Sequence, residues 1–201
     1  QSFDRDIFWG SQIRQARLEE GKLKYSRPKF KLPRKFTVLG STFADLTGDG
    51  KVETIFVRDK ALYIYAGKKQ LYKSPAEVGG SLAVATYELD PGASFTSVKT
   101  AILEISPVAV DIDGDGQLEV LAVNTDRGML KSPRLTLFKS WLTVVKYEDR
   151  TFVKGKLGEV LETPTQGLTA DEGKVLVVAS RPGSVFGKEA SSRILAYPLV
   201  R

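Results

Sequence analysis

Two short acidic segments hold the residues best suited to chemistry. The first reads Asp45-Leu46-Thr47-Gly48-Asp49-Gly50-Lys51-Val52-Glu53, and the second Asp111-Ile112-Asp113-Gly114-Asp115-Gly116-Gln117-Leu118-Glu119. Each places a side-chain oxygen at loop positions 1, 3, 5 and 9 and a glycine at position 6. Alternating oxygen donors in a tightly wound loop converge on one centre, and the glycines permit the positive φ that such winding needs. Position 7 would contribute its backbone carbonyl, so Lys51 and Gln117 count as main-chain ligands and their side chains are irrelevant to ligation. A cage of hard oxygen donors of this size suits calcium better than magnesium, which keeps a smaller octahedral shell with several waters. An EF-hand is excluded on two grounds. It needs a bidentate glutamate at its last position, where these segments have Phe56 and Ala122. It also needs flanking helices, whereas both segments run directly into β-branched stretches.

The copies are not equal. Thr47 stands where the second copy has Asp113, and Lys51 adds a positive charge beside the first loop. The Asp111 site is therefore expected to bind calcium more tightly than the Asp45 site. Without calcium, four carboxylates crowd the second loop and three the first, so repulsion should destabilise both. The alternative is an acidic turn that binds nothing. Duplication of the pattern, each time with Glu at position 9 and strand-like residues on both sides, favours the metal.

Other chemistry is largely excluded. The 201 residues contain no histidine and no cysteine, which removes Ser-His-Asp and Cys-His catalysis, imidazole or thiolate metal sites, and disulfides. Glu88, Asp90 and Glu104 are carboxylates of the kind glycoside hydrolysis uses, but no spacing singles them out. Gly79-Gly80-Ser81 resembles neither a nucleophile elbow nor a phosphate loop. Tyr63, Tyr65, Tyr72 and Trp141 could stack on sugars or serve packing. The chain is expected not to be an enzyme. The net charge is +6, and the span 14–35 alone carries nine basic residues against Glu19 and Glu20. That stretch reads as a solvated hairpin face or as a polyanion site. Nucleic acid is not expected, because no base-stacking or groove-reading motif accompanies the charge. No apolar run reaches the length of about 18 residues that a membrane span needs. The start at Gln1 suggests a piece of something longer.

The elements that position the acidic loops are strands. Short β-branched and aromatic runs at 52–57, 62–66, 118–123, 142–147, 175–179 and 194–197 are separated by Gly, Pro, Asp and Asn. A hairpin is expected from 12–18 and 22–26 through Glu19-Glu20-Gly21, and another from 142–147 and 152–156 through Glu148-Asp149-Arg150. The segments 43–57 and 108–123 form an internal repeat with a period of 66 residues, and 167–179 is a worn third copy without the acidic ligands. A four-stranded propeller blade takes about 40–50 residues, so the spacing leaves room for insertions such as 90–100 and 125–134. The expected fold is all-β, a partial or C-terminal portion of a β-propeller in one domain, 1–201. Its four-stranded blades would be 36–78, 82–157 and 158–201, with 1–35 a hairpin of a neighbouring or closing blade. Since closed propellers have about four to eight blades, further blades in a longer chain are expected.

On these residues the chain resembles the FG-GAP/VCBS-type repeats of integrin-α-like β-propellers, whose loop reads D-x-D-x-D-G-x-x-E between two strands of a blade. The likeness is specific over 43–57 and 108–123 and loose over 167–179. It implies one calcium ion at Asp45, Thr47, Asp49, Lys51 (carbonyl) and Glu53, and a second at Asp111, Asp113, Asp115, Gln117 (carbonyl) and Glu119, with the third copy metal-free. It also implies a bacterial surface, periplasmic or secreted protein, a setting where millimolar calcium fills weak sites. The function it implies is a non-catalytic interaction or scaffold domain whose partner is a protein or a cell-surface glycan. Loops such as 125–134 and 181–192 would form a binding rim. The alternatives are a polysaccharide- or polyanion-binding module using the basic stretch, or an accessory domain of a polysaccharide-active enzyme.

Overall fold

The computed structural model describes residues 12–88, 98–129, 136–171, 173–181 and 190–199. Among them are fifteen strands and no helix. The hairpin β1 (Gln15–Glu19) and β2 (Lys22–Ser26) comes first. A four-stranded antiparallel meander follows: β3 (Ser41–Ala44), β4 (Glu53–Arg58), β5 (Ala61–Ala66) and β6 (Lys69–Lys73). A second hairpin pairs β7 (Val84–Glu88) with β8 (Val98–Ile102). The second meander is β9 (Val108–Val110), β10 (Glu119–Met129), β11 (Thr136–Glu148) and β12 (Thr151–Leu161). A three-stranded sheet of β13 (Thr165–Asp171), β14 (Lys174–Arg181) and β15 (Ser191–Pro198) completes the order. The protein is thus all-β, in several antiparallel sheets of which none closes on itself.

Three connections are tight turns with both central residues left-handed. They are Glu20-Gly21 (φ 52° and 74°), Asp59-Lys60 (51° and 58°) and Asp149-Arg150 (48° and 64°). Two-residue turns of this hand match the right-handed twist of the strands they join. The first and third are one residue shorter than the sequence suggests, because Glu19 and Glu148 are the last ladder residues of their strands. The span 82–157, expected as one unit, holds the separate hairpin β7–β8 as well as the second meander. Of the loops expected as insertions or a binding rim, 90–97, 130–135 and 182–189 lie outside the described residues, as do Asp90, Glu172 and the side chain of Glu88.

The second meander is covered on both faces. Side chains alternate along a strand, so Val120 and Ala122 of β10 point one way and Leu121 and Val123 the other. Val120, Ala122 and Val145 share a core with Leu46, Ile55, Val57, Leu62 and Ile64 of the first meander. Leu121, Val123 and Leu142 pack with Val175 and Val177 of the three-stranded sheet. The far face of the first meander carries Phe56 and Tyr63 against Phe36. Each fully buried aliphatic side chain contributes about 1.5–3 kcal/mol relative to exposure. A polar seam also joins the meanders. The Gly79 N–H donates to Val123 O at 3.0 Å, the Thr125 N–H donates to Gly79 O at 2.9 Å, and Asn124 Nδ2 donates to Glu77 O at 2.7 Å. Gly79 sits at φ +106°, and a Cβ there would meet Val57 Cγ1 at 2.6 Å, so a side chain is excluded.

Candidate metal centre

The two acidic loops link β3 to β4 and β9 to β10, and each winds around its first carboxylate. In the first loop Asp45 Oδ1 accepts the Gly48 N–H at 2.9 Å and Asp45 Oδ2 the Gly50 N–H at 2.8 Å. Asp49 Oδ1 accepts the Lys51 N–H at 2.9 Å, and Glu53 Oε2 accepts the Leu46 N–H at 2.8 Å. The second loop repeats all four bonds at the same spacing: Gly114 and Gly116 to Asp111 (2.7 and 2.9 Å), Gln117 to Asp115 (2.8 Å), and Ile112 to Glu119 (2.9 Å). Gly48, Gly50, Gly114 and Gly116 all have φ between 70° and 86°. The repeat in sequence is therefore a repeat in hydrogen-bond detail.

The position-9 glutamates are the most constrained members. Glu53 is 2 % exposed and Glu119 0 %. Burying a carboxylate is costly unless donors meet it, and each spends one oxygen on a backbone N–H. The other oxygens differ. Glu53 Oε1 accepts from the Thr47 hydroxyl at 3.3 Å. Glu119 Oε1 is buried and makes no hydrogen bond. It faces the ammonium of Lys146, on β11, at the ion-pair distance of 3.3 Å.

Lys146 is a member of the site that the sequence pattern does not reveal. Its Nζ lies 2.5 Å from Asp113 Oδ2 and 2.7 Å from Asp115 Oδ2, and its side chain is 25 % exposed. The hydrogen bonds to Asp113, then Asp115, hold its ammonium well above the usual lysine range. Reciprocally, Lys146 and then the Gln117 N–H hold the Asp115 carboxyl below its ordinary value. One step along the ladder from Val120–Val145, Lys146 stands across from Glu119. The same step from Thr54–Tyr65 puts Ala66 across from Glu53. The first loop has instead Lys51, whose Nζ pairs with Asp49 at 3.0 Å and whose side chain is 80 % exposed. That contact, and next the Lys51 N–H, keeps the Asp49 carboxyl below its ordinary value.

Asp111, Asp113 and Asp115 each bring one carboxylate oxygen within 4.8 Å of the others, the one such group of three among the described residues. These oxygens, with the buried Glu119 Oε1 that only the Lys146 ammonium faces, fit a hard cation. Asp45, Thr47, Asp49 and Glu53 lie in the same loop frame, but Thr47 turns its hydroxyl to Glu53. Both position-7 side chains make contacts of their own. Gln117 Nε2 donates to Leu46 O at 3.2 Å and to Tyr147 O at 2.6 Å, so the second loop is tied to the first. In the third copy Asp171 of β13 pairs with Lys174 of β14, and Gly173 has φ 78°.

Of the other candidates, those within the described residues make contacts in the fold. Glu104 accepts from the Gly80 and Ser81 N–H groups at 3.1 and 3.4 Å, which pins the turn beside the seam. Tyr63 and Tyr65 stack on Phe56, Tyr72 packs on Phe152, and Lys156 lies over the Trp141 ring. The basic hairpin is exposed, with Leu18 across from Leu23 on one face and Arg17 across from Lys24 on the other. No helix among the described residues is long and apolar enough to cross a membrane. Comparison of the chain with protein-family models, with curated proteins and with solved structures finds no match.

Proposed function

We propose that this chain is a calcium-stabilised, non-catalytic interaction or scaffold domain of a bacterial surface, periplasmic or secreted protein. In this reading the two four-stranded meanders are blades of a β-propeller of the FG-GAP/VCBS-like kind. The observation that carries it is the convergence of Asp111, Asp113 and Asp115 on one centre beside the buried Glu119. The same frame recurs around Asp45. Asp111, Asp113, Asp115 and Glu119 would hold the ion at the second loop, and Asp45, Thr47, Asp49 and Glu53 at the first, with carbonyls of Gln117 and Lys51. A bound ion would join the strands that flank each loop. The connecting loops would then be left to serve a protein or glycan partner.

The test is calorimetric titration of calcium into chelator-stripped protein, with thermal melts alongside. About two ions should bind, as the two-loop frame implies, and Asp113→Ala should abolish one and lower the melting temperature. Absence of binding at millimolar calcium, with melting indifferent to chelator, would reduce the loops to acidic turns.

One observation favours a second reading, a polysaccharide- or polyanion-binding module. The β1–β2 hairpin is exposed along its length and carries Arg17, Lys22 and Lys24 beside exposed Leu18, Leu23 and Tyr25. Binding of an acidic polysaccharide that weakens steeply as salt rises would support it. A neutral glycan bound independently of salt would point to a lectin instead.

A further inference from the structure

We propose that Lys146 is a tethered cation that occupies the second loop when calcium is absent and must withdraw for calcium to enter, so that this loop is a latched site and the first loop is not. The inference rests on the calcium reading above and concerns what the chain itself does at that site.

Three of the four acidic side chains of the second loop face one ammonium: Asp113 and Asp115 by charge-assisted hydrogen bonds and Glu119 by an ion pair. Without a cation these groups would repel one another, and Glu119, fully buried, could not turn to water. The ammonium relieves that repulsion. It does so from a neighbouring strand, so its stem closes the loop onto β11. The same geometry makes it removable. A lysine stem is flexible, its head is a compact point charge, and the side chain keeps an outlet to solvent. A divalent ion carries twice its charge to the same oxygens. Calcium and Lys146 therefore exclude each other, and the apparent affinity falls by the fraction of time the lysine is out.

The first loop supplies the internal control. It has the same hydrogen-bond frame, but Ala66 stands where Lys146 would be, and Lys51 touches only Asp49, from the rim. Carboxylate count alone ranks the second loop as the tighter site. The latch opposes that ranking.

The experiment compares wild type, Lys146→Met, Lys146→Arg and Ala66→Lys. Calcium titration is followed by the amide signals of Gly48 and Gly114, which report the two loops separately, with melts in chelator and in saturating calcium. For Lys146→Met, calcium affinity at Gly114 should rise about tenfold, within the usual range of couplings between ligands. Its melting temperature should fall in chelator and not in saturating calcium. Ala66→Lys should weaken binding at Gly48 and raise the melting temperature in chelator. If Lys146→Met is too unstable to hold its fold in chelator, recovery on adding calcium supports the latch. Lys146→Arg, which keeps the charge, should then remain folded. Equal calcium affinity in wild type and a folded Lys146→Met would overturn the latch while leaving the calcium site standing. If neither protein binds calcium at Gly114, the calcium reading of this loop falls and the latch with it. A fall in chelator stability in that case would mark Lys146 as a permanent ion-pair partner.

Discussion

The loop after β3 and the loop after β9 share a backbone frame bond for bond, yet neutralise their buried glutamates by different means. In the first, a threonine hydroxyl caps Glu53 and a rim lysine pairs with an exposed aspartate. In the second, a third aspartate replaces the threonine, and the balancing charge comes from the next-but-one strand. The comparison separates two things that a motif runs together. The glycines and the position-1 aspartate build the loop. The remaining acids set its charge, and that charge can be met by a metal, a lysine or a hydroxyl.

The largest effect should come from the buried glutamates. Glu119→Ala strands the Ile112 N–H and takes the buried partner from Lys146, so its loss should exceed that of Glu53→Ala. Glu53→Ala strands the Leu46 N–H without breaking an ion pair, and about 2 kcal/mol is expected. Equal losses in urea denaturation would mean that the charge arrangement does not distinguish the loops. Thr47→Asp should sharpen the contrast from the other side. It completes the acidic set of the first loop with no lysine at position 66 to offset it, so calcium affinity there should rise about tenfold, as ligand charge count tunes such sites. A calcium titration that leaves this affinity unchanged would show that the first loop lacks the geometry to use the extra acid. Gln117→Ala removes the bond between the loops and should cost about 1 kcal/mol. Calcium entering one loop should then no longer shift amide signals in the other. The smallest change belongs to Lys51→Met, where loss of the exposed pair with Asp49 should leave the urea midpoint essentially unmoved. A larger loss in the chelator-treated protein would give Lys51 the role assigned to Lys146.

Much of this arrangement is legible in the order of the amino acids. The spacing of oxygens and glycines in 45–53 and 111–119 marks both loops, and the period of 66 residues ties them together. The strands at 52–57, 62–66, 142–147 and 175–179 are visible because β-branched, aromatic and other apolar residues dominate them. The less visible strands are short or polar. β6 reads Lys-Gln-Leu-Tyr-Lys, and β9 is three residues long, so neither offers a period to detect. The Asp59-Lys60 turn is equally hidden, since it places two non-glycine residues at positive φ. Lys146 is hidden for a different reason. Its role depends on the β10–β11 register, which no turn signature fixes in the sequence. The tie made by Gln117 escapes notice because a motif assigns its carbonyl and says nothing about where its side chain goes.

The seam at Gly79 and Asn124 has a consequence for the order in which the chain assembles. Its partners lie far apart in sequence, whereas each meander closes through neighbouring strands, and contacts between distant residues form after the local ones that bring them close. The bridge should therefore be among the later bonds to form. In hydrogen-exchange experiments the Gly79 and Thr125 amides should open together, and more readily than the amides of β4 and β11, which lie inside the sheets the seam joins. Where the two meanders meet, the molecule would then open as a hinge before either sheet is lost, and matched exchange rates across seam and sheets would show that they unfold as one unit.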